Sequence, residues 1–301
     1  MKKLSDPRTT LETVSRYDFD FHKRFGQNFL VDEGVILRSL EAAGVGKTDV
    51  VFEVGPGIGT LTQYLSEAAA HVVSIEIDKK LIPILTDTLD GCGNVEVINE
   101  DVLKVDLPAL ARRYHAGRSS GLSPLKIVAN LPYYITTPIL MNLFRQKVPA
   151  QSITVMVQKE VADRIESGPG SKAYGAISVA VQYYADVSRI VSVPKEVFLP
   201  SPKVDSAVLL LELRETRAVQ PLDETQFFAC VRAGFGQRRK TLSNALCGAG
   251  KIPKETVREA LSAAGIDESR RAETLSIEEF ARIADELTTR EGSEWKRTET
   301  N

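Results

Sequence analysis

The chain is short of the residues from which metal centres and disulfide frameworks are built. Its 301 residues include three cysteines (Cys92, Cys230, Cys247) and three histidines (His22, His71, His115). The cysteines are odd in number and form no CxxC pair, and the histidines stand at no metal-ligand spacing. A structural zinc and a disulfide scaffold are therefore excluded, no metal is expected, and a reducing compartment is. No apolar run approaches the ~20 residues needed to span a bilayer, and the opening stretch MKKLSDPRTTLETVSRYDFDFHK has no apolar core. A cytoplasmic protein without a membrane partner is expected. Charge of one sign is lacking too: 38 Lys and Arg face 40 Asp and Glu, a net charge of -2. Any contact with nucleic acid must then come from local basic patches. What remains, 43% hydrophobic and 26% charged residues, suits a globular chain with one large domain and a small one.

Short β-branched apolar runs alternate with amphipathic stretches. Strands are expected at Asp49 to Gly55, His71 to Asp78, Asn94 to Asp101, Lys126 to Asn130 and Ile153 to Gln158, with a last one at Ala207 to Leu213. Crossover helices fit Thr60 to Ala70 and Lys79 to Leu89, the second despite Pro83. This alternation predicts an α/β fold with a mostly parallel, Rossmann-like sheet. Beyond Pro221 the strand signal gives way to helical segments at Glu224 to Leu246, Lys254 to Ala264 and Ser276 to Thr288; Ser276 and Glu279 fit a capping box. The expected division is a catalytic domain over residues 1–217, a small all-helical domain over 218–290 and a disordered tail over 291–301. SGPGSKAYG at 167–175 reads as a flexible loop.

Chemistry enters where strands end. Glu53-Val54-Gly55-Pro56-Gly57-Ile58-Gly59 joins a strand to a helix, and its glycines permit a tight turn and close approach of a ligand to backbone. The last gap is two residues where a dinucleotide fingerprint wants three, and Pro56 removes an amide that a pyrophosphate would need. A ligand without phosphates fits better, and S-adenosylmethionine is such a ligand. Glu76 can accept from its ribose hydroxyls, and Asp101 can take its adenine amino group. The alternative is a glycine turn that only packs a helix, flanked by two surface carboxylates.

The second signal is Asn130-Leu131-Pro132-Tyr133, at the end of the fourth expected strand. An exocyclic adenine nitrogen is a poor nucleophile because its lone pair is delocalised into the ring. The Asn130 side-chain carbonyl and the Pro132 backbone carbonyl are candidates to accept the two amino hydrogens and localise that lone pair, with Tyr133 stacked on the base. Asparagine is no base at neutral pH, so the expected catalysis is alignment followed by in-line displacement, the proton leaving to solvent. A plain strand end followed by a turn remains the competing explanation.

Taken together, these segments resemble the ribosomal RNA adenine dimethyltransferases, from about Phe25 to about Phe280. RFGQNFLVD is similar to the family's N-terminal motif, EVGPGIGTLT to its cofactor turn, IEID to its ribose-binding strand end and NLPYYITTPI to its catalytic loop. PGSKAYGAISV, VFLPSPKVDSAV, GFGQRRKTL and RAETLSIEEF resemble family segments reaching into the helical domain. The last two favour the small-subunit type over the erythromycin-resistance methyltransferases, which share the core and diverge there. The resemblance implies a class I methyltransferase fold and S-adenosyl-L-methionine contacts at Asn28, Leu30, Gly55, Glu76, Asp101 and Asn130. It also implies a sandwich of the target base between Tyr133 and Phe198, although Phe198 also reads as a core residue beside a rigid Pro200–Pro202 loop. The implied reaction is N6 dimethylation of two adjacent adenines in a hairpin loop near the 3′ end of 16S rRNA. The implied partner is the assembling small ribosomal subunit, met by a monomer.

Basic residues group as His22-Lys23-Arg24, as Arg112-Arg113 with Arg118 in a segment given no element, and as Arg238-Arg239-Lys240. Lys23, Arg24, Arg238, Arg239 and Lys240 are the expected RNA contacts; the middle group reads more readily as a solvated face. Other readings stay open: a protein-glutamine or DNA-adenine methyltransferase, a noncatalytic assembly or transcription factor on the same fold, and a nicotinamide oxidoreductase, which the glycine spacing disfavours.

Overall fold

The computed structural model describes residues 2–19, 27–115, 125–250 and 252–290, and in it the β-branched runs become strands. In chain order these are β1 (Phe29–Leu30), β2 (Val50–Val54), β3 (His71–Glu76), β4 (Val95–Asn99) and β5 (Leu125–Asn130), then β6 (Ala150–Gln158), β7 (Ala185–Val193), β8 (Phe198–Leu199) and β9 (Ser206–Leu213). Seven form one sheet in the order β4-β3-β2-β5-β6-β9-β7. From β4 to β6 all neighbours run parallel, and β9 is antiparallel to β6. Every residue of β2 is buried, as expected of a parallel strand covered on both faces. The chain steps outward from β2 to β3 to β4, then returns to lay β5 on the other side of β2. That reversal leaves a crevice at the carboxyl ends of β2 and β5, where ligands bind in such sheets.

Local chemistry sets the helix ends. The crossover helix Ile82–Thr88 starts later than its expected Lys79, which puts Pro83 in the first turn, where a missing N–H is harmless. The helix Glu33–Ala43 opens on Asp32, whose carboxylate accepts from Val35 N at 2.8 Å, and closes on Gly44 at φ +57°. An N-terminal helix, Pro7–Arg16, is capped by Asp6. Leu4, Val14 and Phe19 around it pack with Phe29, Ile58 and Leu81, under the glycine turn. Arg112 and Arg113 lie on a helix, Leu107–His115, and not in a loop. At the amino end of the sheet, buried Lys126 pairs with buried Asp49 at 2.9 Å and also donates to Gly44 O. No helix of the described residues is long and apolar enough to cross a membrane.

The chain divides into two compact units: Met1–Ala162 with Asp186–Leu213, and Asp163–Ala185 with Arg214–Asn301. This differs from one cut at 217/218, because a segment inside the first 217 residues joins the helical unit. Its aromatic residues explain why. Tyr183 and Tyr184 donate to the two carboxylate oxygens of Glu224 at 3.1 and 2.8 Å, and their rings stack on Phe227 and Phe228. The helical unit holds Glu224–Gly236, Leu242–Gly250, Lys254–Ala263 and Ile277–Arg290. The continuous helix expected over Glu224 to Leu246 is thus broken at 237–241. Ser276 and Glu279 do form a reciprocal capping box: Ser276 N donates to Glu279 Oε2 at 2.9 Å and Glu279 N to Ser276 Oγ at 3.2 Å. The tail over 291–301 lies outside the described residues.

Candidate active site

The crevice at the strand reversal is a cleft of about 1250 Å³ open to solvent, within the first unit. Its floor is the glycine turn after β2. Gly57 stands at φ +62°, and a Cβ there would come within 3.1 Å of the Phe29 ring, so only glycine leaves this backbone open. Gly55 stands at φ +69°, and a Cβ on it would touch the Pro132 ring at 3.7 Å. The cofactor turn and the Asn130–Tyr133 loop therefore face each other across a single atom's width.

Glu76 ends β3 with its carboxylate buried. It accepts from Asp78 N at 2.8 Å and Gly57 N at 3.3 Å. Its pKa is raised to about 7, by burial above all and by the charge of Asp78, against the pull of those backbone bonds. Asp101, beyond β4, accepts from Leu103 N at 3.0 Å through Oδ1, which holds its carboxylate at the rim. Asn28 and Leu30 close the opposite side; Leu30 is fixed by pairing with Phe198, and Gln27 donates to Asp78 at 2.8 Å.

Asn130 is the last residue of β5, and Leu131 N donates to Met156 O at 3.1 Å, which pins the loop to β6. Tyr133 shares a 2.6 Å hydrogen bond with Ser206 Oγ at the head of β9, and burial raises its phenol. The Pro132 carbonyl accepts from Ile135 N at 3.2 Å and Thr136 Oγ1 at 3.1 Å. A carbonyl has two lone pairs, and the turn engages both. In the free protein, the carbonyl expected to take an adenine hydrogen is thus occupied by its own turn.

One cleft thus gathers Asn28, Leu30, Gly55, Glu76, Asp101, Asn130, Pro132 and Tyr133. Phe198 is not among its lining residues. Its side chain is 1% exposed, in a core cluster with Leu30, Met156 and Val208, one layer behind the wall those three form. Lys23 and Arg24 lie outside the described residues. Arg238, Arg239 and Lys240 belong to the helical unit. Arg238 donates to the carbonyls of Lys172 at 2.8 Å and Tyr174 at 3.0 Å and pairs with Glu273 at 3.4 Å. Arg239 and Lys240 are exposed.

Among the lining residues to which sequence reasoning gave no role are Glu53, Ile77 and Val102. Glu53, 1% exposed, accepts from Thr62 Oγ1 and Ser74 Oγ, both at 2.7 Å. Ile77 and Val102 line the cleft beside Glu76 and Asp101. Each is next to, or two residues from, a residue that was singled out. The missing signal was the apolar wall that a purine ring needs beside its polar anchors.

A model of the ribosomal RNA adenine dimethylase family matches residues 18–289. The chain belongs to that family. It is 52% identical to the Ribosomal RNA small subunit methyltransferase A of Lachnoclostridium phytofermentans over 95% of this chain and 98% of that one. It is 49% identical to the protein of the same name from Clostridioides difficile, over 97% of this chain and all of the other. Among solved structures, the 23S rRNA methyltransferase ErmE shares 27% identity and a TM-score of 0.62 over 86% of this chain and 99% of that one. A dimethyladenosine transferase from Plasmodium falciparum has the same fold, with a TM-score of 0.69 and 24% identity over 85% and 95% of the two chains. Family membership makes this chain an S-adenosylmethionine-dependent rRNA adenine methyltransferase with a Rossmann-like sheet. The cleft fits that cofactor on its own terms. A buried carboxylate at the end of β3 suits a ribose diol, Ile77 and Val102 suit a purine face, and the glycine turn leaves backbone open without a cradle for phosphate.

Proposed function

We propose that this chain dimethylates N6 of two adjacent adenines in a hairpin loop near the 3′ end of 16S rRNA, in the assembling small ribosomal subunit. The observation that carries the reading is the close approach of the cofactor turn to the Asn130–Tyr133 loop, with room for one carbon between Gly55 and the Pro132 ring. Two sites that meet there serve a group transfer and not two separate bindings. The names of the relatives at 49–52% identity support the small subunit as the particle.

When bound, S-adenosylmethionine supplies a methyl group already activated by its sulfonium. The chain's residues do the rest. Asn28, Leu30, Gly55, Glu76, Asp101 and Asn130 hold the cofactor, with Glu76 as acceptor for the ribose hydroxyls. The Asn130 side-chain carbonyl also accepts a hydrogen of the target amino group and localises the nitrogen lone pair toward the methyl. Tyr133, held by Ser206, stacks on the base turned out of the RNA. A singly methylated nitrogen keeps one hydrogen, so a second transfer uses the same acceptor. Phe198 completes a base sandwich only if its ring leaves the core cluster; without that movement it supports Leu30 from behind. Arg239 and Lys240 contact RNA phosphate, with Lys23 and Arg24. The setting is the cytoplasm and the working form a monomer.

The test is transfer of labelled methyl to immature small subunits that lack the modification, with product bases identified by mass and Asn130→Ala as control. Dimethyladenosine formed only by the intact protein supports the proposal; tight binding without transfer turns it toward a noncatalytic assembly role.

A further inference from the structure

Large apolar side chains are exposed at six places among the described residues: Leu11, Leu37, Ile77, Tyr134, Val204 and Leu222. Two of them, Ile77 and Tyr134, line the cleft. Ile77 lies on the cofactor side, beside Glu76. Tyr134 lines the cleft and is 51% exposed. Val204, 44% exposed, stands two residues before Ser206, whose hydroxyl ties its loop to Tyr133. The two tyrosines differ in exposure: Tyr133 is half-buried and bonded to Ser206, while Tyr134 lines the same cleft with half its surface open to solvent.

A base turned into the pocket leaves the next nucleotide without its stacking partner. Unstacked bases in single-stranded RNA are held on aromatic faces, which is sequence-tolerant and needs no hydrogen bonds. We infer that Tyr134 is the stacking platform for the nucleotide beside the target adenine. The inference rests on the function proposed above. In a substrate with adjacent targets, the base on Tyr134 is the second adenine while the first is in the pocket, so Tyr134 determines how completely the pair is modified.

Tyr134→Ala, Tyr134→Leu and Tyr134→Trp are compared with wild type on immature small subunits. The readouts are kcat/KM, the share of dimethyl product at each adenine, and calorimetric cofactor binding to the free protein. Alanine and leucine are expected to lower kcat/KM about tenfold or more, the scale of one lost base–aromatic stack, and to skew the product toward one adenine. Tryptophan should stay within about twofold of wild type, and cofactor affinity should not move in any variant. Leucine matching tryptophan overturns the stacking role, since apolar cover alone then suffices. Alanine matching wild type overturns it as well, and a parallel loss of cofactor affinity assigns Tyr134 to the cofactor side instead. Wild type that transfers no methyl sinks the functional proposal, and this inference with it, before any variant is read.

Discussion

Glutamine in place of Glu53 should remove a loss of stability that the protein suffers as pH rises from about 4.5 to about 7. Glu53 sits under the cleft at 1% exposure, and its Oε2 accepts from Thr62 and Ser74 at 2.7 Å. Burial raises its pKa from the ordinary 4.5 to about 7; the two hydroxyl bonds oppose the rise, and the charge of Glu76 adds to it. The folded chain then keeps a proton that the unfolded chain has released. Stability falls as pH rises above 4.5 and stops falling once pH passes about 7. The gap corresponds to about 3 kcal/mol at 1.36 kcal/mol per pH unit, an upper scale for one buried carboxylate. Glu53→Gln keeps a carbonyl for the two hydroxyls and has no charge to bury. Its new NH2 costs about 1–3 kcal/mol if unpaired, but that cost does not vary with pH. The assay is therefore the difference in thermal midpoint between variant and wild type at pH 5 and at pH 8. That difference should move in favour of glutamine by about 5 °C at roughly 2 °C per kcal/mol. A constant difference across this range, or a change of the opposite sign, would refute the burial argument.

The other expectations are simpler to read. Cofactor affinity should rise between pH 6 and pH 8 as Glu76, near 7 in the free protein, ionises into a stronger acceptor; calorimetry on Glu76→Gln should give weaker binding with that pH dependence gone. Asn130→Ala should lower kcat by about 10²–10³, measured in single turnover at saturating cofactor so that its loss as a cofactor contact is separated. Tyr133→Phe and Ser206→Ala each break the same 2.6 Å bond. Each should cost about 1 kcal/mol in kcat/KM, and the double variant should be no worse than either single one. Arg239→Glu with Lys240→Glu should weaken binding to small subunits and flatten its salt dependence at unchanged thermal midpoint. Arg238→Glu should lower the midpoint as well, because its guanidinium holds the carbonyls of Lys172 and Tyr174.

The contrast between the three basic residues shows what a sequence hides. Arg238, Arg239 and Lys240 read as one patch, since their charge is visible and their partners are not. Arg238, though exposed, is held by carbonyls more than sixty residues away, and the helix expected to run through it stops at Gly236. The 163–185 segment shows the same limit, as its place with the helical unit comes from Tyr183 and Tyr184 meeting Glu224, forty residues on. Elements of two residues, β1 and β8, are too short to carry a period, although their pairing sets Leu30 at the cleft.

What was legible depends on where a parallel sheet puts its chemistry. A strand buried on both faces announces itself as an apolar run, and the first polar residue at its carboxyl end is the one that faces a ligand. Glu76, Asp101 and Asn130 could be read that way because each interrupts or follows such a run. Glu53 could not: it is a polar residue inside a buried strand, satisfied by Thr62 and Ser74, and only the register of β2 against β3 brings Ser74 beside it. The bonds of the Pro132 carbonyl were hidden for a related reason. Backbone acceptors look alike in a sequence, and whether one is available for a substrate depends on the turn that follows. Here that turn belongs to Ile135 and Thr136. For this carbonyl to take adenine's second amino hydrogen, one of those two turn bonds must yield to the substrate. A crystal structure with bound adenosine decides it: Pro132 O released from Thr136 and facing N6 supports the acceptor role, and both turn bonds intact with N6 turned elsewhere refutes it.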